Sequence, residues 1–415
     1  MMQKIAENLE KLIDGKIGAP VIIETVEREG EILPILNRFK LKARQLRLFN
    51  MLSCFLPLKI IDEIADLPNV RKIYFDAPIY LPEMPKHISF TDLFFRTGML
   101  GFGSNISDII TMNQDVWVPT SVSKQSIGAD VANYEGYTGR DVNVGVIDTD
   151  SSYRAIRHRQ FYGKTVQSES IRLKYQTDSN GHGSHIATTI AGFAYSPFPN
   201  ITVEGVAPDA NLLMIKALFT PMGAGSTSDC IDALGLAFMK GMDVVNLSLG
   251  MNFEQTVDDP FQNAINRLPK DKIIVVVAAG NDSLDRVSSP ANAKNALAIG
   301  AYDVKTNEVA SFSNRGEGLD FIMPGVDIFS GICRETLLDV TGGPPEGFSM
   351  LSGTSMATPH AAGMVAIAIQ MMKECGIRPT VDTIRDIGRR YGESHSFERG
   401  YGPLTYEMIK QYVSE

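Results

Sequence analysis

Residues 142–148 read Val-Asn-Val-Gly-Val-Ile-Asp. The run is short, rich in valine, and ends on a carboxylate. It opens a stretch in which runs of this kind alternate with helical ones. Strands are expected at 142–148, 211–218, 243–249, 273–280 and 296–301. Helices are expected at 182–192, 228–240, 258–268 and 354–375. Near-continuous apolar strands alternating with helices predict a mostly parallel sheet covered on both faces, a doubly wound α/β fold. Functional groups in such sheets gather beyond the carboxyl ends of the strands. Asp148 stands at one such end.

Two further residues belong with it. His182 sits in Asn180-Gly-His-Gly-Ser-His-Ile-Ala187, where a glycine-rich turn opens a helix. Ser355 sits in Ser352-Gly-Thr-Ser-Met-Ala-Thr-Pro-His-Ala-Ala-Gly363, again at a helix start. A serine hydroxyl is a weak nucleophile at neutral pH and needs an adjacent base. An imidazole is that base and can return the proton to a leaving amine. A buried carboxylate fixes its tautomer and steadies the imidazolium. A developing oxyanion needs preorganised donors. The Ser355 amide at its helix N-terminus is one, and the Asn281 side chain, after the 273–280 strand, is the second. Taken alone, Ser355 reads equally well as a helix N-cap.

The surrounding blocks are Gly353-Thr-Ser-Met-Ala-Thr-Pro-His360, His182-Gly-Ser-His185, Val206-Ala-Pro208, Asn246-Leu-Ser-Leu-Gly250, Ala278-Ala-Gly-Asn281, Ser311-Phe-Ser-Asn314 and Pro324-Gly325. With these blocks in the order Asp, His, Ser, the chain resembles the subtilisin-like serine protease family over roughly residues 119–413. The resemblance implies a serine endopeptidase acting on protein and peptide substrates through an acyl-enzyme. No cofactor is implied for the chemistry. Ser355 would be the nucleophile, His182 the base and acid, Asp148 the orienting carboxylate and Asn281 the oxyanion donor. Ser248, Leu249 and Gly250 would pair with the substrate backbone as an added strand. Ala278, Ala279 and Gly280 would wall the first specificity pocket, with Ser288 near its floor. No acidic residue stands among these, so a broad or apolar preference is expected.

The N-terminal eighty residues have a different texture. An amphipathic helix is expected over 1–16, a strand at 20–27 and a strand-like stretch with hairpin potential at 43–56. A helix opening on Pro57 follows at 57–67, then a strand and tail at 70–81. This is a small α+β unit compatible with a ferredoxin-like split βαβ fold. Residues 1–81 resemble the family's propeptide, an intramolecular inhibitor and folding template whose tail, near 77–87, would lie in the active site. The chain would then be made as a self-processing zymogen. Residues 82–118, with Pro82, Pro85, Gly98, Gly101 and Gly103, read as a linker that could hold the processing site, and the catalytic unit as 119–415.

Departures from the family also matter. Asp150 stands where the family usually has glycine, so Asp148 and Asp150 compete for the catalytic role; Asp148 is favoured because it ends the strand. A structural calcium ion is common in the family; Arg154 to Arg159 and the 196–200 loop do not suit its usual site, and an acidic pair such as Asp258 and Asp259 could bind calcium elsewhere. Asp258 and Asp259 read as a solvated helix start. His182 and His185 are three apart with no glutamate after the first, which does not fit a zinc-protease helix. His185 and His360 read as packed structural residues, and His87, His158 and His395 as surface ones.

Composition bounds the rest. Across 415 residues, 44% are hydrophobic, 21% charged and the net charge is −9. That balance suits a globular protein and argues against nucleic acid as partner. The basic stretch from Arg154 to Lys174 reads as a solvated loop, with contact to an acidic surface as the lesser reading. Cys54, Cys230, Cys333 and Cys375 are scattered, which excludes a zinc ribbon. The first residues lack the apolar core of a secretory signal, and no apolar run approaches the ~20 residues that span a bilayer. A cytoplasmic or non-classically exported protein is the expectation. Two other readings of the same fold remain: a catalytically silent, locked scaffold, and a peptide acyl transferase that excludes water.

Overall fold

The structure is a computed structural model that describes residues 5, 18–26, 32–81, 117–149, 166–172, 178–220, 222–251, 259–334, 336, 338 and 347–415. The helix expected over 1–16 apart from Ile5, nearly all of the 82–118 linker, Asp150, most of the basic stretch, Asp258, His87 and His158 fall outside these residues; Ile5 forms a parallel bridge with Ile73 and not a helical turn.

The N-terminal unit comprises β1 (Gly18–Thr25), α1 (Ile32–Arg38), β2 (Ala43–Gln45), β3 (Met51–Pro57), α2 (Ile61–Ala65) and β4 (Val70–Phe75). The expected hairpin forms, with Ala43 opposite Cys54. The expected 57–67 helix is a 3-10 turn over Leu58–Ile60 that runs into α2. The antiparallel strands order as β2-β3-β1-β4. With one helix after β1 and one after β3, this is the ferredoxin-like arrangement. Alternation along β1 splits its faces. Val21 and Ile23 enter a core with Leu36, Leu52, Leu56, Ile64 and Ile73. Ile22 points the other way, with Leu46, Phe49, Met51 and Tyr74, into a core shared with the large unit. A short tail strand, β5 (Pro78–Tyr80), follows.

In the large unit, β6 (Val118–Pro119) leads into α3 (Thr120–Gln125) and α4 (Ala129–Tyr134). Trp117, just before β6, stacks on Phe329 with ring centroids 4.4 Å apart. The chain then runs through β7 (Asn143–Asp148), β8 (Val166–Ser170), α5 (His182–Ala191), the β9 (Tyr195–Phe198) and β10 (Ile201–Val203) hairpin, β11 (Asn211–Lys216), β12 (Ala224–Ser226) and α6 (Thr227–Met239). After β13 (Val244–Leu247) come α7 (Pro260–Arg267), β14 (Ile274–Ala278), β15 (Ala296–Tyr302), β16 (Phe321–Pro324), β17 (Ile328–Gly331) and β18 (Phe348–Leu351). The last helices are α8 (Thr354–Glu374), α9 (Val381–Tyr391) and α10 (Tyr406–Ser414).

Seven strands form one parallel sheet in the order β16-β15-β14-β13-β7-β11-β8. Its two faces bury separate clusters. Val144, Val146, Leu212, Met214 and Val276 face α5 and α8. Ile147, Leu213, Ile215, Val245 and Val277 face α6 and α7. Helix α8 is buried from Thr354 to Met372 and fills the centre of the first face. Strand order reverses between β7 and β13, which opens a crevice at their carboxyl ends. Asp148 and the Ser248–Gly250 segment lie there. Strands β8 and β16 were not expected from sequence. The first, Val-Gln-Ser-Glu-Ser, is a polar edge strand, and the second has only four residues and ends on proline.

Candidate active site

Asp148 ends β7 and is fully buried. Its two carboxylate oxygens lie 2.9 and 3.0 Å from His182 Nδ1. An ionised carboxylate only accepts, so Nδ1 carries a proton, and in the neutral ring that leaves the lone pair on Nε2. His182 is the first residue of α5, reached through Gly181 at φ 104°. A Cβ at Gly181 would come 2.8 Å from Thr336 Oγ1, so the turn has no room for a side chain.

Asp178 builds this turn. Its Oδ1 accepts from the amides of Asn180 (3.0 Å) and Gly181 (2.7 Å) and from Thr149 Oγ1 (3.2 Å). Its Oδ2 accepts from Ser184 Oγ. Asn180 Oδ1 in turn accepts from the His182 amide at 3.0 Å. Thr149 Oγ1 receives the Gly183 amide at 3.0 Å, tying the end of β7 to the start of α5. Buried Lys216 donates to the Thr149 carbonyl. The sequence reading did not single out Asp178 or Thr149. Their signal was proximity to the named residues, four before His182 and one after Asp148.

Ser355 is the second residue of α8, and its N-cap is Gly353, so the N-cap reading of Ser355 does not hold. Its hydroxyl donates to the Ser248 carbonyl at 3.3 Å. Asn281 is anchored from the same helix start: its Oδ1 accepts from Thr354 N and Thr354 Oγ1, both at 2.8 Å. A Cβ built on Gly353 would lie 3.0 Å from Asn281 Nδ2 and 3.7 Å from the Ser355 amide nitrogen. The two candidate oxyanion donors therefore border one small space, kept open by a glycine.

The specificity-pocket candidates also come together. Ser288 N donates to the Ala279 carbonyl at 2.9 Å. Asn314 Nδ2 donates to Ser288 Oγ at 2.8 Å and to the Ala279 carbonyl at 3.2 Å. A Cβ on Gly280 would meet Asn314 Nδ2 at 2.3 Å, so that approach needs glycine. Asn314 is a clamp on this segment that the sequence reading quoted only within a motif. Ala278 is buried, and the Leu249 side chain points into the core shared with the N-terminal unit, leaving its backbone for the crevice.

That crevice is occupied by the chain itself. Strand β5 pairs antiparallel with β12, Ile79 opposite Gly225. Tyr80 exchanges two backbone hydrogen bonds with Gly250, both 3.1 Å, and Leu81 N reaches the Gly223 carbonyl at 3.2 Å. Just upstream, Asp76 accepts from Ser228 N (2.8 Å) and Ser228 Oγ (2.6 Å) in the first turn of α6. Burial pushes the Asp76 carboxyl above its usual range, against the lowering pull of those bonds.

His185 and His360 are buried and bonded within the fold. His185 Nε2 bonds the Ile328 carbonyl at 3.1 Å. His360 Nδ1 bonds the Met356 carbonyl at 2.8 Å and Nε2 lies 2.6 Å from Ser123 Oγ. Burial holds His185 down to about 3 and His360 down to about 4, so both are neutral. His395 is exposed, with Nε2 on the Leu319 carbonyl. Asp259 differs from expectation. It is buried rather than solvated, capping α7 through Phe261 N (2.6 Å) and Gln262 N (3.1 Å) and accepting from Ser289 Oγ (2.8 Å). Arg172, from the basic stretch, does contact an acid: its Nε lies 2.6 Å from Asp229 Oδ1. The four cysteines are free thiols. Burial, helped by Asp76, pushes Cys54 up to about 12. Among the described residues no cluster of three metal-ligating side chains occurs, and no helix is long and apolar enough to cross a membrane.

Known proteins are similar to this chain in sequence. The M-protease of Shouchella clausii (strain KSM-K16) is 37% identical over 264 residues, 64% of this chain and 62% of the relative. Subtilisin Savinase of Lederbergia lenta is 37% identical over 253 residues, 61% of this chain and 84% of the relative. Subtilisin DY of Bacillus licheniformis is 33% identical over 291 residues, 69% of this chain and 96% of the relative. The chain thus spans under two thirds of the length of some curated relatives it matches and most of the length of others. The pattern that defines the subtilase family matches residues 139–391, a segment that carries Asp148, His182, Asn281 and Ser355, and the chain belongs to that family.

Proposed function

We propose that the chain is a serine endopeptidase that cleaves peptide bonds through an acyl-enzyme. One observation carries this reading. The Asp148–His182 pair and the Ser355 helix start stand at the strand ends beside a glycine-kept space bordered by Asn281 Nδ2 and the Ser355 amide. In this reading Ser355 Oγ leaves the Ser248 carbonyl, where it rests at 3.3 Å, for His182 Nε2. Nε2 takes the hydroxyl proton as Oγ attacks the substrate carbonyl, and Asp148 steadies the imidazolium. The two donors receive the oxyanion. His182 then gives its proton to the leaving amine, and water reverses the sequence to release the acid product. No step calls for a metal or cofactor. Ala278, Ala279, Gly280 and Ser288 place no charge in the first pocket, which supports an apolar or broad preference.

The chain's own N-terminal unit acts as its inhibitor in this reading. Tyr80 on Gly250 and β5 on β12 lie as an extended substrate strand would, held by main-chain hydrogen bonds. The chain is then a zymogen that processes itself between this tail and the catalytic unit. The same occupancy would also serve a locked, silent scaffold, and one experiment separates the two. Wild type and Ser355→Ala are incubated in parallel and followed by intact mass and by fluorophosphonate labelling. The zymogen reading expects loss of an N-terminal fragment and a label on Ser355 in wild type alone. An intact, unlabelled wild type at every pH, temperature and calcium level tried leaves the locked scaffold. Asn281→Ala should lower turnover ~10²–10³-fold, the effect known for the oxyanion-hole asparagine of subtilisin.

A further inference from the structure

Helix α8 has a proline at position 359, inside its second turn. An α-helix bonds each carbonyl to the amide four residues on, so the partner of the Ser355 carbonyl would be the amide of residue 359. Proline has no N–H to give. The Ser355 carbonyl belongs to a fully enclosed residue, where an unpaired acceptor is costly. Its donor comes from another element: Ser248 Oγ, just past β13, donates to the Ser355 carbonyl at 2.9 Å. Asn246 Nδ2 in turn donates to Ser248 Oγ at 3.0 Å. With that lone pair engaged, the single Ser248 proton is aimed at Ser355. The neighbouring carbonyls are held similarly, Thr354 by Thr358 Oγ1 (2.7 Å) and Met356 by His360 Nδ1 (2.8 Å). Three successive carbonyls of the first turn of α8 thus take side-chain donors, beside backbone bonds such as those from Met356 N and Ala357 N to the Gly353 carbonyl.

We propose that Ser248 and Asn246 are positioning residues for Ser355: the Ser248 hydroxyl, oriented by Asn246, supplies the hydrogen bond that Pro359 withholds and so fixes the helix turn that carries the Ser355 hydroxyl and amide. This role belongs to the side chain and is separate from the backbone of Ser248, which faces the peptide strand. It rests on the reading of Ser355 as nucleophile. The geometry needs no contact between either side chain and substrate, so the effect falls on turnover rather than on binding.

The test uses the full chain with three changes: Ser248→Ala, Pro359→Ala and the two together. Ser248→Ala should lower kcat about ten- to a hundredfold, the range that corresponds to one orphaned buried carbonyl, with KM within about twofold. Pro359→Ala returns an amide to position 359. It should recover most of the lost kcat in the Ser248→Ala background and change little in the wild-type background. The thermal midpoint should follow the same pattern, lowered by Ser248→Ala and raised more by Pro359→Ala in that background than alone. Wild-type kcat in Ser248→Ala, or no recovery on adding Pro359→Ala, overturns the proposal. If wild type and Ser355→Ala are equally inert, the peptidase reading fails by itself. The midpoints then decide the brace, and additive effects of the two substitutions overturn it.

Discussion

Arg44 is the point at which the N-terminal unit's hold on the catalytic unit can be loosened without touching the crevice. It reaches from β2 to the first turns of α6. Its Nη2 lies 2.8 Å from Asp229 Oδ1 and 3.0 Å from Ser228 Oγ, and its Nη1 lies 3.2 Å from Asp232 Oδ2. Both acids are nearly enclosed, with side chains 2% and 5% exposed, while Arg44 is 32% exposed. Truncating one partner of a buried, hydrogen-bonded charge pair costs 2–5 kcal/mol, roughly, much of it the penalty on the charge left behind. Two features lower the figure here. Asp229 keeps Arg172 at 2.6 Å and Asp232 keeps the Arg47 amide at 2.8 Å. Arg44 is also partly solvated, which screens it. Arg44→Ala should therefore weaken docking by about 2 kcal/mol, or about thirtyfold in the population of the undocked form.

On the proposed reading, fluorophosphonate labelling of Ser355 in the full chain reads that population, because the probe needs the crevice that Tyr80 occupies. When undocking is fast relative to labelling, the labelling rate is proportional to the open fraction. The expected result is a rate about thirtyfold above wild type at early times, before fragments accumulate. Arg71→Ala is the control. Arg71 pairs at 3.2 Å with Glu24 of its own unit and is 59% exposed, so its loss should change the rate little. Equal labelling rates in wild type and Arg44→Ala would refute docking as the source of the latency proposed above. An equal rise in both variants would show instead that general destabilisation exposes the site.

Two further outcomes follow from the geometry. Gly353→Ala places a methyl 3.0 Å from Asn281 Nδ2, in the space that the Ser355 amide also borders; kcat should fall at least ~10²-fold and a peptide aldehyde should bind correspondingly less well, whereas near-normal turnover would place the oxyanion elsewhere. Buried His185 and His360 should make the protein acid-sensitive. Their folded values, about 3 and about 4, lie below the ordinary 6.5, so the unfolded chain takes up protons that the fold refuses. Their contribution is complete above pH 6.5 and is lost as pH falls toward 4, at up to about 1.4 kcal/mol per pH unit for each. Urea midpoints measured from pH 7 to pH 4 should show the decline, with a shallower slope in His360→Gln.

What could be read from the sequence was what the chain determines locally. Asp148 was legible because a valine-rich run ends on it, and His182 and Ser355 because a glycine-containing turn opens a helix at each. The central strands were legible because both of their faces are buried. The edge strand β8 was not, since Val-Gln-Ser-Glu-Ser lacks a continuous apolar run. The seam between the two units was illegible for a different reason: Arg44 and Asp232 are 188 residues apart, and nothing near either one announces the other. The small unit's fold was suggested in part by its pattern: β1, the β2–β3 stretch, α2 and β4 follow the periodicities of their segments, whereas α1 over Ile32–Arg38 was not expected from sequence.

Pro359 shows where the two kinds of information meet. By local rules a proline in the second turn is a fault in the helix, removing one hydrogen bond and crowding the turn before it. The sequence presents it only as a letter in a motif. In the fold, the carbonyl it leaves open is that of Ser355, and the donor that fills it lies 107 residues earlier, on Ser248. An ordinary intrahelical bond would hold the turn to its own helix alone. A bond from Ser248 holds it to the strand end beside which Tyr80 pairs with Gly250, so that the proposed nucleophile and the backbone proposed to align its substrate share one anchor. A local defect is thereby a tertiary tie, and a proline at that position is consistent with a helix start positioned by the sheet as well as by its own turns.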